Sequence, residues 1–163
     1  MPGIHITNQP SIEQSGFTES EHTDAIESEV VTSSEQWTVG YTRHATYPIS
    51  VTEYPDYTAL LDGKIYHSPC SFSDLTKAIL QDNHQELSSL LPRIDGSFAL
   101  AVINNNKIRV LNDMFSRLPL YYTDDGTTLA RELRFVSKYA QSTSIDLDAI
   151  SEMLCFGYPL GDS

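Results

Sequence analysis

The alternation of hydrophobic and polar residues predicts short β-strands in both halves of the chain. Ile4 and Ile6 stand on one side of a first strand, and later segments repeat the pattern in short apolar runs bounded by Gly, Asn or Asp. A run of three Asn separates two of these segments, which indicates a β-hairpin. The predicted strands are 3–7, 37–41, 45–51, 57–61, 98–103, 108–111, 120–123 and 127–130.

Helices are predicted between and after these strands. Ser71 and Asp74 form a capping-box pattern ahead of an apolar stripe, which indicates a helix ending near residue 81. A short helix over 84–91 follows, and Asp146 is expected to cap a last helix that ends near Phe156. A turn or two of helix is also expected within 24–31. Strands in both halves with short helices outside them predict an α+β fold of one domain.

The charge of the chain excludes one class of partner. The 163 residues carry a formal net charge of −12, and residues 1–42 contain no Lys or Arg but seven acidic residues. Nucleic acid is bound by clustered Lys and Arg, so we expect no nucleic-acid surface. No apolar run is long enough to span a bilayer and no signal-peptide pattern opens the chain, which predicts a cytoplasmic protein without a membrane partner. Two distant cysteines fit buried thiols better than a metal site or a disulfide framework.

The stretch from Asp95 to Phe135 resembles a known family. It reads Asp95-Gly-Ser-Phe-Ala-Leu-Ala-Val, then Asn112-Asp-Met-Phe-Ser-Arg-Leu-Pro-Leu-Tyr-Tyr122, then Leu129-Ala-Arg-Glu-Leu-Arg-Phe135. These segments are similar to the amidotransferase half of asparagine synthetases, where a hairpin, a loop with an Asp, a Pro-Leu-Tyr-Tyr strand and an Ala-Ser-Glu segment follow one another. The match extends from about residue 38 to the end, whereas the acidic segment 8–36 is divergent.

The resemblance implies an N-terminal-nucleophile hydrolase-like fold, a four-layer α-β-β-α sandwich of two antiparallel sheets. Residues 1–155 would form a class II glutamine amidotransferase-like domain. Residues 156–163 look like the start of the linker to a synthetase domain, whose pyrophosphate loop the sequence does not contain. By itself the chain is therefore not expected to adenylate a substrate, and no cofactor or metal is expected.

The nucleophile of that family is missing. An N-terminal Cys followed by Gly-Ile attacks the side-chain amide of glutamine there, with its own amino group as the base. This chain begins Met1-Pro2-Gly3-Ile4, so Pro2 stands at the nucleophile position and has no side chain that can attack a carbonyl. We therefore name no catalytic residue.

Two candidate ligands for an amino acid remain. Thr42-Arg43-His44-Ala45-Thr46 resembles the segment whose Arg grips the α-carboxylate of glutamine, a task that suits the planar guanidinium. Asp74 resembles the Asp that binds the α-amino group. From the residues alone, an Arg placed like Arg43 is more often a surface ion pair, and Asp74 is more often an acid in the first turn of a helix, a role that does not exclude ligand binding.

The oxyanion donors are altered. Asp62-Gly63 aligns with an Asn-Gly pair whose side-chain and backbone N–H groups form the oxyanion hole of the family. A carboxylate at that position repels the oxyanion, and only a protonated one could donate. Without the resemblance, Asp62-Gly63 is simply a predicted tight turn.

Three functions follow from this pattern of loss. The first is a degenerate amidotransferase-like domain without glutaminase activity, which serves as a structural or regulatory module for a separate ATP-dependent synthetase chain. The second is a glutamine or other amino-acid sensor that uses the candidate pocket Arg43, Asp62, Gly63 and Asp74. The third is part of a functional synthetase that uses free ammonia. The sequence leaves open whether the protein forms a homodimer.

Overall fold

Two antiparallel β-sheets form the framework of the fold. The computed structural model describes residues 3–8, 26–33, 36–44, 46–104, 107–140 and 147–156. A five-stranded sheet has the order β2-β3-β1-β9-β8, and a four-stranded sheet has the order β4-β5-β6-β7. The strands are β1 (Gly3–Thr7), β2 (Ile26–Ser33), β3 (Thr38–His44), β4 (Ile49–Glu53), β5 (Thr58–His67), β6 (Asp95–Asn104), β7 (Lys107–Asn112), β8 (Tyr121–Tyr122) and β9 (Thr128–Ala130). The predicted α+β class is therefore confirmed.

Four short helices accompany the sheets in the described part of the chain. Ser71 caps α1 as expected, because its side chain accepts a hydrogen bond from the backbone N–H of Asp74 at 3.1 Å. A 3-10 turn over Leu91–Arg93 follows α2. The helices are α1 (Phe72–Leu80), α2 (His84–Leu90), α3 (Leu133–Ser137) and α4 (Leu147–Phe156). The predicted cap Asp146 lies outside the described residues.

Strand β6 separates two hydrophobic clusters because its side chains alternate between the faces of the four-stranded sheet. Ala99, Ala101 and Ile103 pack between the two sheets, against residues of β1 and β3 such as Ile4 and Val39. Phe98, Leu100 and Val102 face the other way and pack beneath α1, with Leu75 and Ile79. The apolar residues of the predicted hairpins belong to these clusters or pack against them, namely Phe98, Leu100, Val102, Ile108, Val110 and Leu120.

A third cluster covers the outer face of the five-stranded sheet. Phe135 and Val136 of α3 pack with Ala130 of β9. The ring of His5, on the outward side of β1, lies 5.2 Å from the ring of Phe135, and its side chain is buried. The structure thus has helices against the outer face of each sheet.

Two secondary-structure predictions were wrong in kind, and the strand predicted over 45–51 begins only at Ile49. The segment expected to be helical within 24–31 forms strand β2 from Ile26 onward, because it pairs with β3 along its length, with Glu29 opposite Tyr41. Asp62-Gly63, expected as a turn, lies inside β5 and pairs with β6. The expectation of buried thiols also fails for Cys155, which is exposed, while Cys70 is partly buried.

The loop after β7 is fixed by a buried carboxylate. Asp113 is 4% exposed and accepts hydrogen bonds from the backbone N–H groups of Phe115 (3.0 Å) and Arg117 (3.1 Å). The Arg117 guanidinium in turn donates to the carbonyl of Gly96 at 2.8 Å. Asp113 therefore has a structural role in the stretch 95–135. It holds the loop in a shape that lets Arg117 bond to the first residues of β6.

Candidate functional site

A buried ion pair occupies the end of the sheet sandwich at which β1 begins. The side chain of Asp62 on β5 is inaccessible to solvent, and Arg131, directly after β9, is 6% exposed. Arg131 Nη1 lies 3.4 Å from Asp62 Oδ2 and 3.5 Å from Asp62 Oδ1. This pair joins the two sheets, because Asp62 belongs to one and Arg131 follows a strand of the other.

Two further donors complete the surroundings of the carboxylate. The Tyr47 hydroxyl donates to Asp62 Oδ1 at 2.7 Å, and the backbone N–H of Ile4 donates to Oδ2 at 3.1 Å. Arg131 Nη1 also donates to the Tyr47 hydroxyl oxygen at 3.1 Å. Both oxygens of Asp62 therefore act as acceptors, so the side chain offers no donor to a developing oxyanion.

The environment of Asp62 acts on its pKa in opposite directions. Burial raises the pKa of Asp62 above its usual value because the ionised form is desolvated, while Tyr47, Arg131 and the Ile4 N–H lower it by stabilising the carboxylate. Burial and the neighbouring Asp62 together raise the pKa of Tyr47, which keeps its hydroxyl proton in place as a donor.

Gly3 lets the pair approach the start of β1. Its φ is +147°, and an added Cβ would lie 2.3 Å from Cγ of Arg131 and 2.8 Å from Oδ2 of Asp62. A side chain at this position would push the ion pair apart. The lack of a side chain at Gly3 therefore lets β1 pack against Asp62 and Arg131.

The other predicted oxyanion donor, the backbone N–H of Gly63, is also engaged in a hydrogen bond within the fold. The backbone N–H of Gly63 donates to the carbonyl oxygen of Pro48 at 2.8 Å. Gly63 has a φ of +94°, and its Cα packs so closely on β6 that an added Cβ would lie 2.1 Å from the carbonyl oxygen of Ser97. Both groups at the predicted oxyanion position therefore bond within the fold.

The two predicted amino-acid ligands lie on different layers. Arg43 is on β3 of the five-stranded sheet, with its guanidinium 5.7 Å from the centre of the Tyr41 ring. Asp74 is exposed in the first turn of α1, where the Ser71 hydroxyl donates to its carboxylate at 2.6 Å. Pro2, at the nucleophile position, lies outside the described residues.

Sequence reasoning missed two residues of this site, Tyr47 and Arg131. For Arg131 a signal was present, since Leu129-Ala-Arg-Glu places it where the family that the chain resembles has the Ser of Ala-Ser-Glu. Asp62 stands where the same family has an Asn. The chain thus has opposite charges at two positions where the family that it resembles has neutral polar residues, and the structure places the two side chains in contact.

The described ranges contain no cluster of three or more His, Cys, Asp or Glu that could hold a metal ion. Nor does any helix within them have the length and apolar character needed to cross a bilayer. Comparison of the chain with protein-family models, with curated proteins and with solved structures gives no match in any of the three.

Proposed function

We propose that this protein is a non-catalytic relative of the glutamine amidotransferase domain of asparagine synthetases, kept as a structural or regulatory module. The observation that carries the proposal is the Asp62–Arg131 ion pair at the start of β1, where the family would hold the nucleophile and its oxyanion hole. Side chains that hold the substrate equally well before and during the reaction bind it but do not accelerate its conversion. Acceleration would need hydrogen-bond donors that stabilise the transition state.

The arrangement of layers supports the fold part of this proposal. Two antiparallel sheets face each other, α1 packs on the outer face of one and α3 on the outer face of the other. This order of layers agrees with a four-layer N-terminal-nucleophile hydrolase-like sandwich. The α3 layer is thin, since this helix has only five residues.

A glutamine sensor is the second candidate, and the structure supports it less. The Asp74 carboxylate would have to leave the Ser71 hydroxyl or share it with an amino group. The Asp62 carboxylate would have to exchange buried partners for a ligand. What supports the sensor is Arg43, which is half-buried at the end of β3 that pairs with Gly3.

The purified protein is expected to release no glutamate from glutamine above the uncatalysed rate, because both groups at the predicted oxyanion position, Asp62 and the backbone N–H of Gly63, bond within the fold. A calorimetric titration of the same sample with glutamine is expected to give only heats of dilution. Glutamate release that is lost in Asp62→Ala would contradict the proposal. Saturable heat that is lost in Arg43→Ala and kept in Arg109→Ala would favour the sensor instead.

An exposed apolar face on α4 suits a partner chain. Leu147, Ile150 and Leu154 are spaced by three and four residues, so they share one side of the helix, and they are 72%, 45% and 82% exposed. We propose that this stripe contacts the ATP-dependent synthetase chain that the module serves. The third candidate, an ammonia-using synthetase, requires the same partner and differs only in whether the complex forms an amide.

The stripe predicts a specific loss of binding. Leu154→Asp is expected to weaken co-elution with a synthetase chain that carries a pyrophosphate loop by at least tenfold, because it places a charge in an apolar contact. Cys155→Asp is the matched control, since Cys155 is also exposed and lies off the stripe. Size-exclusion chromatography at several concentrations measures the effect. Equal loss in both variants, or no complex with the wild type, would contradict the proposed interface.

A further inference from the structure

The outer edge of β4 differs from the other edges of the two sheets. β4 ends the four-stranded sheet, and no strand in the described part of the chain pairs with its other side. Each remaining edge strand carries a feature that discourages pairing with another chain. β8 has only two residues, β2 is bulged between Val30 and Thr32, and β7 carries Lys107 and Arg109. The five residues of β4, Ile-Ser-Val-Thr-Glu, pair in continuous register with β5 and are charged only at Glu53.

The backbone of β4 directs alternate residues toward this edge. The N–H of Gly63 on β5 donates to the carbonyl oxygen of Pro48, so residue 48 turns its polar backbone toward β5. In an antiparallel pair this direction alternates from one residue to the next, so the even-numbered residues of β4 also bond to β5. The odd-numbered residues, Ile49, Val51 and Glu53, therefore turn their N–H and carbonyl groups to the outer edge.

This edge is complementary to itself. The N–H of Ile49 bonds to the carbonyl oxygen of Tyr47 at 3.0 Å, within the chain. The N–H groups of Val51 and Glu53 and the carbonyl oxygens of Ile49 and Val51 point to the side on which no described strand lies. Two copies related by a twofold axis at Val51 would match these groups in about four hydrogen bonds. Two of them join the Val51 residues, and the others run from each Glu53 N–H to the Ile49 carbonyl of the other copy.

The side chains fit the same arrangement. Val51 stands opposite Leu60, which belongs to the cluster between the sheets, and Val51 itself is 37% exposed. Pairing would place the two Val51 side chains next to each other and extend this cluster across the edge. On the other face, Ser50 would stand opposite Thr52 of the second copy, which is a favourable cross-strand pair. The two Glu53 residues would lie about 13 Å apart along the strands, farther than the Debye length of about 8 Å at physiological ionic strength.

We propose that β4 pairs with β4 of a second copy of this chain, which joins two four-stranded sheets into one continuous sheet. The occupant is a second copy because the same five residues supply both sides of every contact. The proposal does not depend on the relation to amidotransferases, and it uses an element other than the apolar stripe of α4.

Sedimentation velocity of the full-length protein at increasing concentration tests the association. A monomer–dimer equilibrium with a Kd on the order of 100 μM is expected, because a few hydrogen bonds and one small apolar contact make a weak interface. The measurement is made in about 0.5 M NaCl, since the net charge of −12 on each copy opposes association and salt screens it. A protein that stays monomeric at about 1 mM would overturn the proposal.

Amide hydrogen exchange of the wild type locates the contact without any substitution. The N–H groups of Val51 and Glu53 are expected to exchange about fourfold more slowly at ten times the Kd than at one tenth of it, because pairing protects them only in the dimer. If a dimer forms and both N–H groups keep the same exchange rate, β4 is not the interface.

Three variants separate this edge from other surfaces. Val51→Lys places two like charges directly opposite each other and is expected to raise the Kd at least tenfold, although it removes one unit of net negative charge. Tyr122→Lys adds the same charge to the edge strand β8, where Tyr122 is 68% exposed, and is expected to leave the Kd within about twofold of the wild type. Leu154→Asp on α4 is expected to leave the dimer intact. Equal weakening by Val51→Lys and Tyr122→Lys, or a dimer lost only in Leu154→Asp, would refute the proposal.

Discussion

Replacing Arg131 by methionine is expected to destabilise the fold by about 3–5 kcal/mol, because the substitution leaves the buried Asp62 carboxylate without its cation. Methionine keeps much of the length and apolar volume of the arginine stem, so the loss measures the charge rather than a cavity. Chemical denaturation at neutral pH, with the slope of the transition compared between variants, gives the change in the free energy of unfolding.

The matched control for this variant is Arg109→Met. Arg109 pairs with Asp82 at a similar distance, 3.2 Å, but Asp82 is exposed to water. Solvent screens that pair and can replace it, so the unfolding midpoint should stay close to that of the wild type. A loss of stability in Arg131→Met no larger than in Arg109→Met would show that the Asp62–Arg131 contact does not hold the sheets together.

Acidification is expected to destabilise the protein through His5. Burial lowers the pKa of His5 from 6.5 to about 3, so the unfolded chain binds a proton that the folded chain excludes between these two values. The contribution of His5 to stability is therefore present above pH 6.5 and is lost as the pH falls. At pH 4.5 the loss amounts to roughly 2.7 kcal/mol, at about 1.4 kcal/mol per pH unit.

Asp62 acts in the opposite sense. Its raised folded pKa means that the native state binds more protons than the unfolded chain, so its contribution is present below the unfolded pKa and is lost as the pH rises through the folded pKa. The His5 effect must therefore be isolated by substitution rather than read from the wild-type curve alone.

His5→Gln provides this separation. The difference in unfolding free energy between wild type and His5→Gln, measured by urea denaturation, is expected to shift by roughly 2.7 kcal/mol in favour of the variant between pH 7 and pH 4.5. His84→Gln is the control, because His84 is 86% exposed. A difference that does not change with pH would mean that His5 titrates normally in the folded protein.

Local patterns predicted those parts of the fold in which neighbouring residues determine the structure. The hairpin of β6 and β7 and helix α1 were predicted because the Asn-rich turn and the Ser71 cap act within a few residues of each other. The exception is β2. Its residues become a strand because β3 offers an edge to pair with, which a local pattern does not contain.

Asp62-Gly63 illustrates the same limit at the site. The dipeptide is a strong turn signal, yet Gly63 is required where β5 and β6 approach closely, with a positive φ inside a strand. The role of Arg131 depends on a contact between residues 69 positions apart in the chain. No hydrophobic periodicity connects positions 62 and 131. In the sequence, only the family resemblance of the residues that flank them indicates that both belong to one site.

A double-mutant cycle on Asp62 and Arg131 tests whether these two residues form one structural pair between the sheets. Asp62→Asn, Arg131→Met and the double variant are unfolded by denaturant, and their free energies of unfolding are combined. The double variant is expected to be more stable than Arg131→Met alone, with a coupling energy of at least about 2 kcal/mol. Additive losses, with a coupling energy within about 0.5 kcal/mol of zero, would contradict it.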